Sequence, residues 1–209
     1  MLNLLFSSPI AFAILAVVLV ASITIHEFAH AWAADHLGDP TPRSQGRITL
    51  NPLAHLDPLG TLAILLIGFG WGRPVVFDPY NLKNPVKDVA LIALAGPASN
   101  LILATIVAVA FKLGLLGFLS IFGASAIITL IVSLNVMLAI FNLIPVFPLD
   151  GEKILVALLP RTTAIEYSQF MRRYGMIVLL FLLAPWSGNS PISRLISPII
   201  GFITNLLIG

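Results

Sequence analysis

Cysteine is absent from the 209 residues, which excludes a disulfide framework and any thiolate metal site. Charge is scarce too: Lys, Arg, Asp and Glu make up 10% of the chain, against about a quarter in an ordinary soluble domain. No dense Lys/Arg run is present, so the net charge of +2 and pI near 9.2 suit loops facing anionic lipid, not nucleic acid. The N-terminus lacks a basic n-region, and its apolar run is too long for a signal peptide, so we expect it to be retained. What remains is apolar. A hydrophobic fraction of 58% and a mean hydropathy of +1.02 imply an integral membrane protein. The length suits about five or six membrane segments with short loops and leaves no room for an appended soluble domain. The expectation is one membrane domain over 1–209, with its core at 9–155 and C-terminal helices at 160–209.

The apolar segments run from about Pro9 to Ala33, from Val89 to Leu113 and from Leu115 to Ile144, the last two separated by a turn around Gly114 and Gly117. Tyr174 to Trp186 and Ile192 to Ile208 are shorter and joined by Ser187 to Ser190. Thr61 to Phe69 is apolar but far short of the ~20 residues a spanning helix needs, so it reads as re-entrant or shallow, capped by Asp57. In the polar connection Asp35 to Leu59, Arg47 to Leu50 alternates between Gly46 and Pro52 as a short strand would. Pro74 to Phe77 is a second strand candidate. The fold class expected is an all-α polytopic membrane protein with a re-entrant piece and a small β element in the connection.

Within the first apolar run stands His26-Glu27-Phe28-Ala29-His30. A helix repeats every ~3.6 residues, so both histidines share a face and Glu27 lies one step round, the arrangement that zinc and a water-activating carboxylate require. Two imidazoles and a carboxylate at bilayer depth are costly unless used. A soluble zinc peptidase would carry this motif on an amphipathic helix, whereas Ile10 to Ile25 is apolar on every face. A catalytic zinc takes three protein ligands and keeps a fourth position for water, so one ligand is still missing. Asp150 is the best candidate. It follows Pro145 and Pro148, which lack N–H donors and break the helix after Ile144, and irregular backbone at that depth implies a buried or wet cavity.

With HEFAH at 26–30, GPASN at 96–100 and NLIPVFPLDG at 142–151 in this order, the chain resembles the site-2 protease family of intramembrane zinc metalloproteases, in its short members without PDZ or CBS domains. The resemblance covers about residues 20 to 155. It implies His26, His30 and Asp150 as Zn2+ ligands, Glu27 as catalytic acid/base, and Asn142 as a polar group near the substrate. One departure is Glu152, where many relatives have a second glycine.

Asn142 either donates to an oxyanion or substrate backbone, or hydrogen-bonds between transmembrane helices. Asn100 follows Gly96-Pro97-Ala98 and fits helix packing, with a second-shell role as the alternative. His55 is either a solvated loop residue or a gate beside the site. For the ligands to meet, Thr61 to Phe69 must not cross. The ligand-side loops then hold nine of the eleven basic residues, leaving Lys112 and Arg194, so the active site opens toward the cytoplasm of a multi-pass cell-membrane protein. The function expected is a zinc endopeptidase cutting in or near transmembrane segments of protein substrates, with membrane lipid around it and no nucleic-acid partner. The alternatives are a membrane metal-binding or transport protein, which gives Glu27 no role, and an inactive helix-binding relative, which would have lost Glu27 or a ligand.

Overall fold

The computed structural model describes residues 2–67, 70–116, 124–185, 188 and 190–209. It divides into two compact units, Met1–Lys83 and Asn84–Gly209.

In the first unit, α1 (Leu2–Ser7) precedes α2 (Pro9–His36). Pro9 stands at the start of α2, where its missing N–H costs nothing. At 28 residues the helix is about 42 Å long, more than a ~30 Å hydrocarbon core. Its hydroxyls are satisfied internally: Ser22 donates to the Val18 carbonyl and Thr24 to the Val20 carbonyl, each at 2.7 Å. The helix stops at Gly38, whose φ of 112° few other residues adopt, and Pro40 prevents continuation.

A short α3 (Thr41–Ser44) follows, and between the two helices lies Asp39, wholly buried. Its carboxylate accepts hydrogen bonds from the Thr41 hydroxyl (2.6 Å) and amide (3.1 Å), the Asp78 amide (2.6 Å) and the Asn81 side chain (2.8 Å). Burial pushes this carboxyl up, but the bonds from Thr41, Asn81 and Asp78 outweigh it and hold it below the ordinary carboxylate value. A depressed carboxylate stabilises the fold above its unfolded pKa, and that stability is lost as pH falls through the folded value. Asp39→Ala should therefore cost about 2–4 kcal/mol near neutral pH. Thermal unfolding in detergent at pH 7 and pH 3 checks this, and the acid-induced loss of stability should shrink in the variant.

Helix α4 (Pro58–Ile67) has ten residues, about 15 Å, too short to cross. Asp57 caps it as expected, accepting the Gly60 amide at 2.7 Å. Phe69, the expected end of this segment, lies outside the described residues, as do Gly117, Trp186, Ser187 and Asn189.

The two strands expected at 46–51 and 74–77 are not formed. Among the described residues the only pairing is an isolated antiparallel bridge between Leu56 and Gly72. The reason lies in side chains that take the backbone groups a ladder would need. Arg47 donates to the Arg73 carbonyl at 2.5 Å, Glu27 accepts the Val75 amide at 3.2 Å, and Asp39 accepts the Asp78 amide.

The second unit contains α5 (Pro85–Lys112), α6 (Ala124–Asn142), α7 (Asp150–Leu158), α8 (Arg161–Leu183) and α9 (Pro191–Ile208). Helices α5 and α6 meet along Ala104 and Ala108 against Ile128, Val132 and Val136, since alanines let backbones approach closely where lipid supplies no hydrophobic drive. A second cluster joins Val146 and Leu149, just before α7, to Met171 and Leu179 of α8 and Ile192 and Ile196 of α9. Gly114, with φ 74°, lies in the turn that follows α5.

Helices α2, α5, α6 and α9 are long and apolar enough to cross a membrane. This is an all-α polytopic membrane protein in its described residues, with four such helices. The expected five or six segments are reached only by adding α4 and α8. Helix α8 has 23 residues, but Arg161, Glu166, Arg172 and Arg173 fall within its first thirteen.

Candidate metal centre

Helix α2 places His26 and His30 one turn apart in its C-terminal half, both more than nine-tenths buried. Their Nε2 atoms are 3.0 Å apart and their rings meet edge to face. Two imidazole nitrogens bound to one tetrahedral zinc at about 2.0–2.1 Å would be about 3.3 Å apart, so the pair fits a shared metal with almost no adjustment. Ala31 and Ala34 on the same helix are wholly buried.

Glu27 Oε2 accepts the Val75 amide, and the buried Arg47 guanidinium stands 3.8 Å from the same oxygen. His55 is wholly buried, so of its two readings the solvated loop residue does not hold. Its Nε2 lies 2.8 Å from the Thr49 carbonyl, and a carbonyl only accepts, so Nε2 carries the proton. Its Nδ1 has no hydrogen-bond partner among the described residues, while its own carbonyl accepts the Arg73 amide at 2.7 Å. His55 thus ties the connection after α2 to the segment at Arg73.

In the second unit, α6 ends at Asn142 and residues 143–149 are non-helical, as the prolines predict. Asp150 opens α7, buried, where the helix dipole favours a carboxylate, with Lys153 Nζ 3.4 Å away. Gly151 follows because the chain folds back on itself: a Cβ there would lie 2.2 Å from the Leu143 carbonyl oxygen. Helix α8 braces this turn. The Tyr167 hydroxyl donates to the Pro145 carbonyl, and Gly175 leaves space that a Cβ would contest with Phe147. Glu152 is also buried, and burial pushes its carboxyl up.

Asn142 donates from Nδ2 to the Leu138 carbonyl of its own helix at 2.9 Å. Asn100 donates to Asn135 Oδ1 at 2.9 Å, with both residues wholly buried between α5 and α6. Sequence reasoning missed Arg47 as a neighbour of Glu27. Its one signal was a lone cation in an otherwise apolar-alternating stretch.

These features define a class: a helical membrane protein carrying a zinc-protease motif inside a helix of spanning length. Residues 115–185 match the family model described as Peptidase family M50. YwhC of Bacillus subtilis is 41% identical over 189 residues, covering 84% of this chain and 82% of its own. Rip2 of Mycolicibacterium smegmatis is 31% identical over 175 residues, covering 78% and 64%. Both are named as presumptive zinc metalloproteases. MJ0392 of Methanocaldococcus jannaschii, named a zinc metalloprotease, is 27% identical over 158 residues, covering 74% of this chain and 37% of its own. No solved structure matches the chain. The chain belongs to peptidase family M50, the site-2 protease family of zinc metalloproteases, and its cofactor is zinc.

Proposed function

We propose that the protein is an intramembrane endopeptidase, hydrolysing peptide bonds in or near transmembrane segments of other membrane proteins. The observation that carries this reading is the position of His26, Glu27 and His30 on α2, a helix apolar enough to cross the bilayer, with the two Nε2 atoms converging at 3.0 Å. His26, His30 and Asp150 hold the zinc. The metal supplies Lewis acidity toward a carbonyl and acidifies water toward a pKa of ~7. Glu27 takes the proton from the attacking water and passes it to the leaving amine. Asn142 offers an amide donor to the substrate backbone or oxyanion. On the topology expected from the sequence, nine of the eleven basic residues lie on the ligand side, which supports an active site opening to the cytoplasm.

A peptide bond inside a regular helix is shielded by neighbouring turns and its carbonyl is already bonded, so the substrate must unwind locally. Unwound groups in lipid cost several kcal/mol each, and residues that weaken a helix lower that cost. A single-span substrate with Gly, Pro or Asn near the scissile bond should be cut at least tenfold faster than its all-leucine counterpart. Turnover in detergent and in bilayers checks this, and equal rates would contradict the reading.

A further inference from the structure

The surroundings of Glu27 contain a buried cation to which the mechanism assigns no work. Arg47 is 4% exposed, its Nε is buried with no hydrogen-bond partner among the described residues, and burial pushes its guanidinium below the usual arginine range. A guanidinium is expensive to bury incompletely bonded. Its position accounts for that expense. Nη2 donates to the Arg73 carbonyl at 2.5 Å and lies 3.8 Å from Glu27 Oε2, the oxygen that accepts the Val75 amide at 3.2 Å. The segment carrying both backbone groups is itself held in place. The Arg73 amide donates to the His55 carbonyl, and Asp39 holds the Asp78 amide. On the other side of the carboxylate, Gly72 leaves just enough room: a Cβ there would meet Ile23 at 3.0 Å and Glu27 Oε1 at 3.6 Å.

We propose that Arg47 is the positioning residue for Glu27: it attracts Oε2 directly and fixes, through the Arg73 carbonyl, the strap whose Val75 amide bonds the same oxygen. The two oxygens thereby have separate tasks. Oε2 is tethered by the strap and the guanidinium, and Oε1 is left as the oxygen that exchanges protons with water and the leaving amine. A freely rotating glutamate would divide its time among rotamers, most of which point the proton acceptor away from the reacting water. This inference rests on Glu27 acting as the general base.

Two measurements on the full chain in detergent test it, one of them independent of activity. With a zinc-loaded enzyme and a helix-breaker substrate, Arg47→Met should retain close to one zinc per chain, leave KM within about twofold and lower kcat about 10- to 100-fold, the scale of a small misplacement of a catalytic group. Arg47→Lys, which restores the charge without the planar fork, should recover part of that loss and serves if the methionine variant folds poorly. The second measurement is a thermal-unfolding cycle on metal-free wild type, Arg47→Met, Glu27→Gln and the double variant. A tie between the two side chains makes the double variant's change in Tm differ from the sum of the single changes, whereas side chains that do not depend on one another make them add. Additive changes, or a kcat unaltered in Arg47→Met, overturn the proposal. If wild type cleaves no membrane substrate, the function proposed above fails, and the unfolding cycle still decides whether Arg47 and Glu27 are coupled.

Discussion

Glu27→Gln retains close to one zinc per chain and loses cleavage by about 10²–10⁴-fold, the usual contribution of a positioned general acid/base. The expectation separates metal binding from chemistry. Glutamine keeps the size of the side chain and an oxygen that can accept the Val75 amide, so the strap at 73–78 has no reason to move. What the substitution removes is a group able to take a proton from water. His26 and His30, the two residues whose nitrogens converge, are untouched. Metal analysis of the purified variant beside its turnover checks both halves. Loss of zinc together with activity would mean that Glu27 serves the metal and not the proton.

Replacing a ligand should do what replacing the base does not. His26→Ala, His30→Ala and Asp150→Ala are each expected to lose both zinc and proteolysis, with an affinity loss beyond the ~10–100-fold typical of an outer-shell partner. Asp150 is the informative member. The histidines follow from spacing on one helix, but the aspartate is argued from the need for a third ligand, from its burial at the head of α7 and from the family pattern. Its turn is built with care, since Gly151 admits the Leu143 carbonyl and Tyr167 holds the Pro145 carbonyl. Full zinc occupancy and activity in Asp150→Ala would remove it from the ligand set.

The parts of this protein legible in its sequence are those set by short-range rules. The HEFAH spacing places two histidines on one helical face whatever surrounds them, and Pro145 and Pro148 end α6 because they cannot donate. The shortness of α4 and its Asp57 cap are equally local. The strands failed for a long-range reason. The amides of Val75 and Asp78 bond to carboxylates 48 and 39 residues away, so the apolar run at 74–77 is held by side chains and not by a ladder. Arg47 escaped notice similarly, because a single arginine in a loop shows its burial and its neighbour only once the chain has folded. His55 sits in a loop, where a histidine is ordinarily solvated, yet the folded chain buries it and its Nε2 donates to the Thr49 carbonyl.

Mapping the cut on the single-span helix-breaker substrate, by mass spectrometry of both fragments after reconstitution in bilayers, tests the central claim most directly. The scissile bond should lie in the cytoplasmic half of the apolar segment or at its edge, beside the helix breaker, and both fragments should be absent with Glu27→Gln. Cleavage confined to the soluble tails, or the same cut by the Glu27→Gln enzyme, would contradict it.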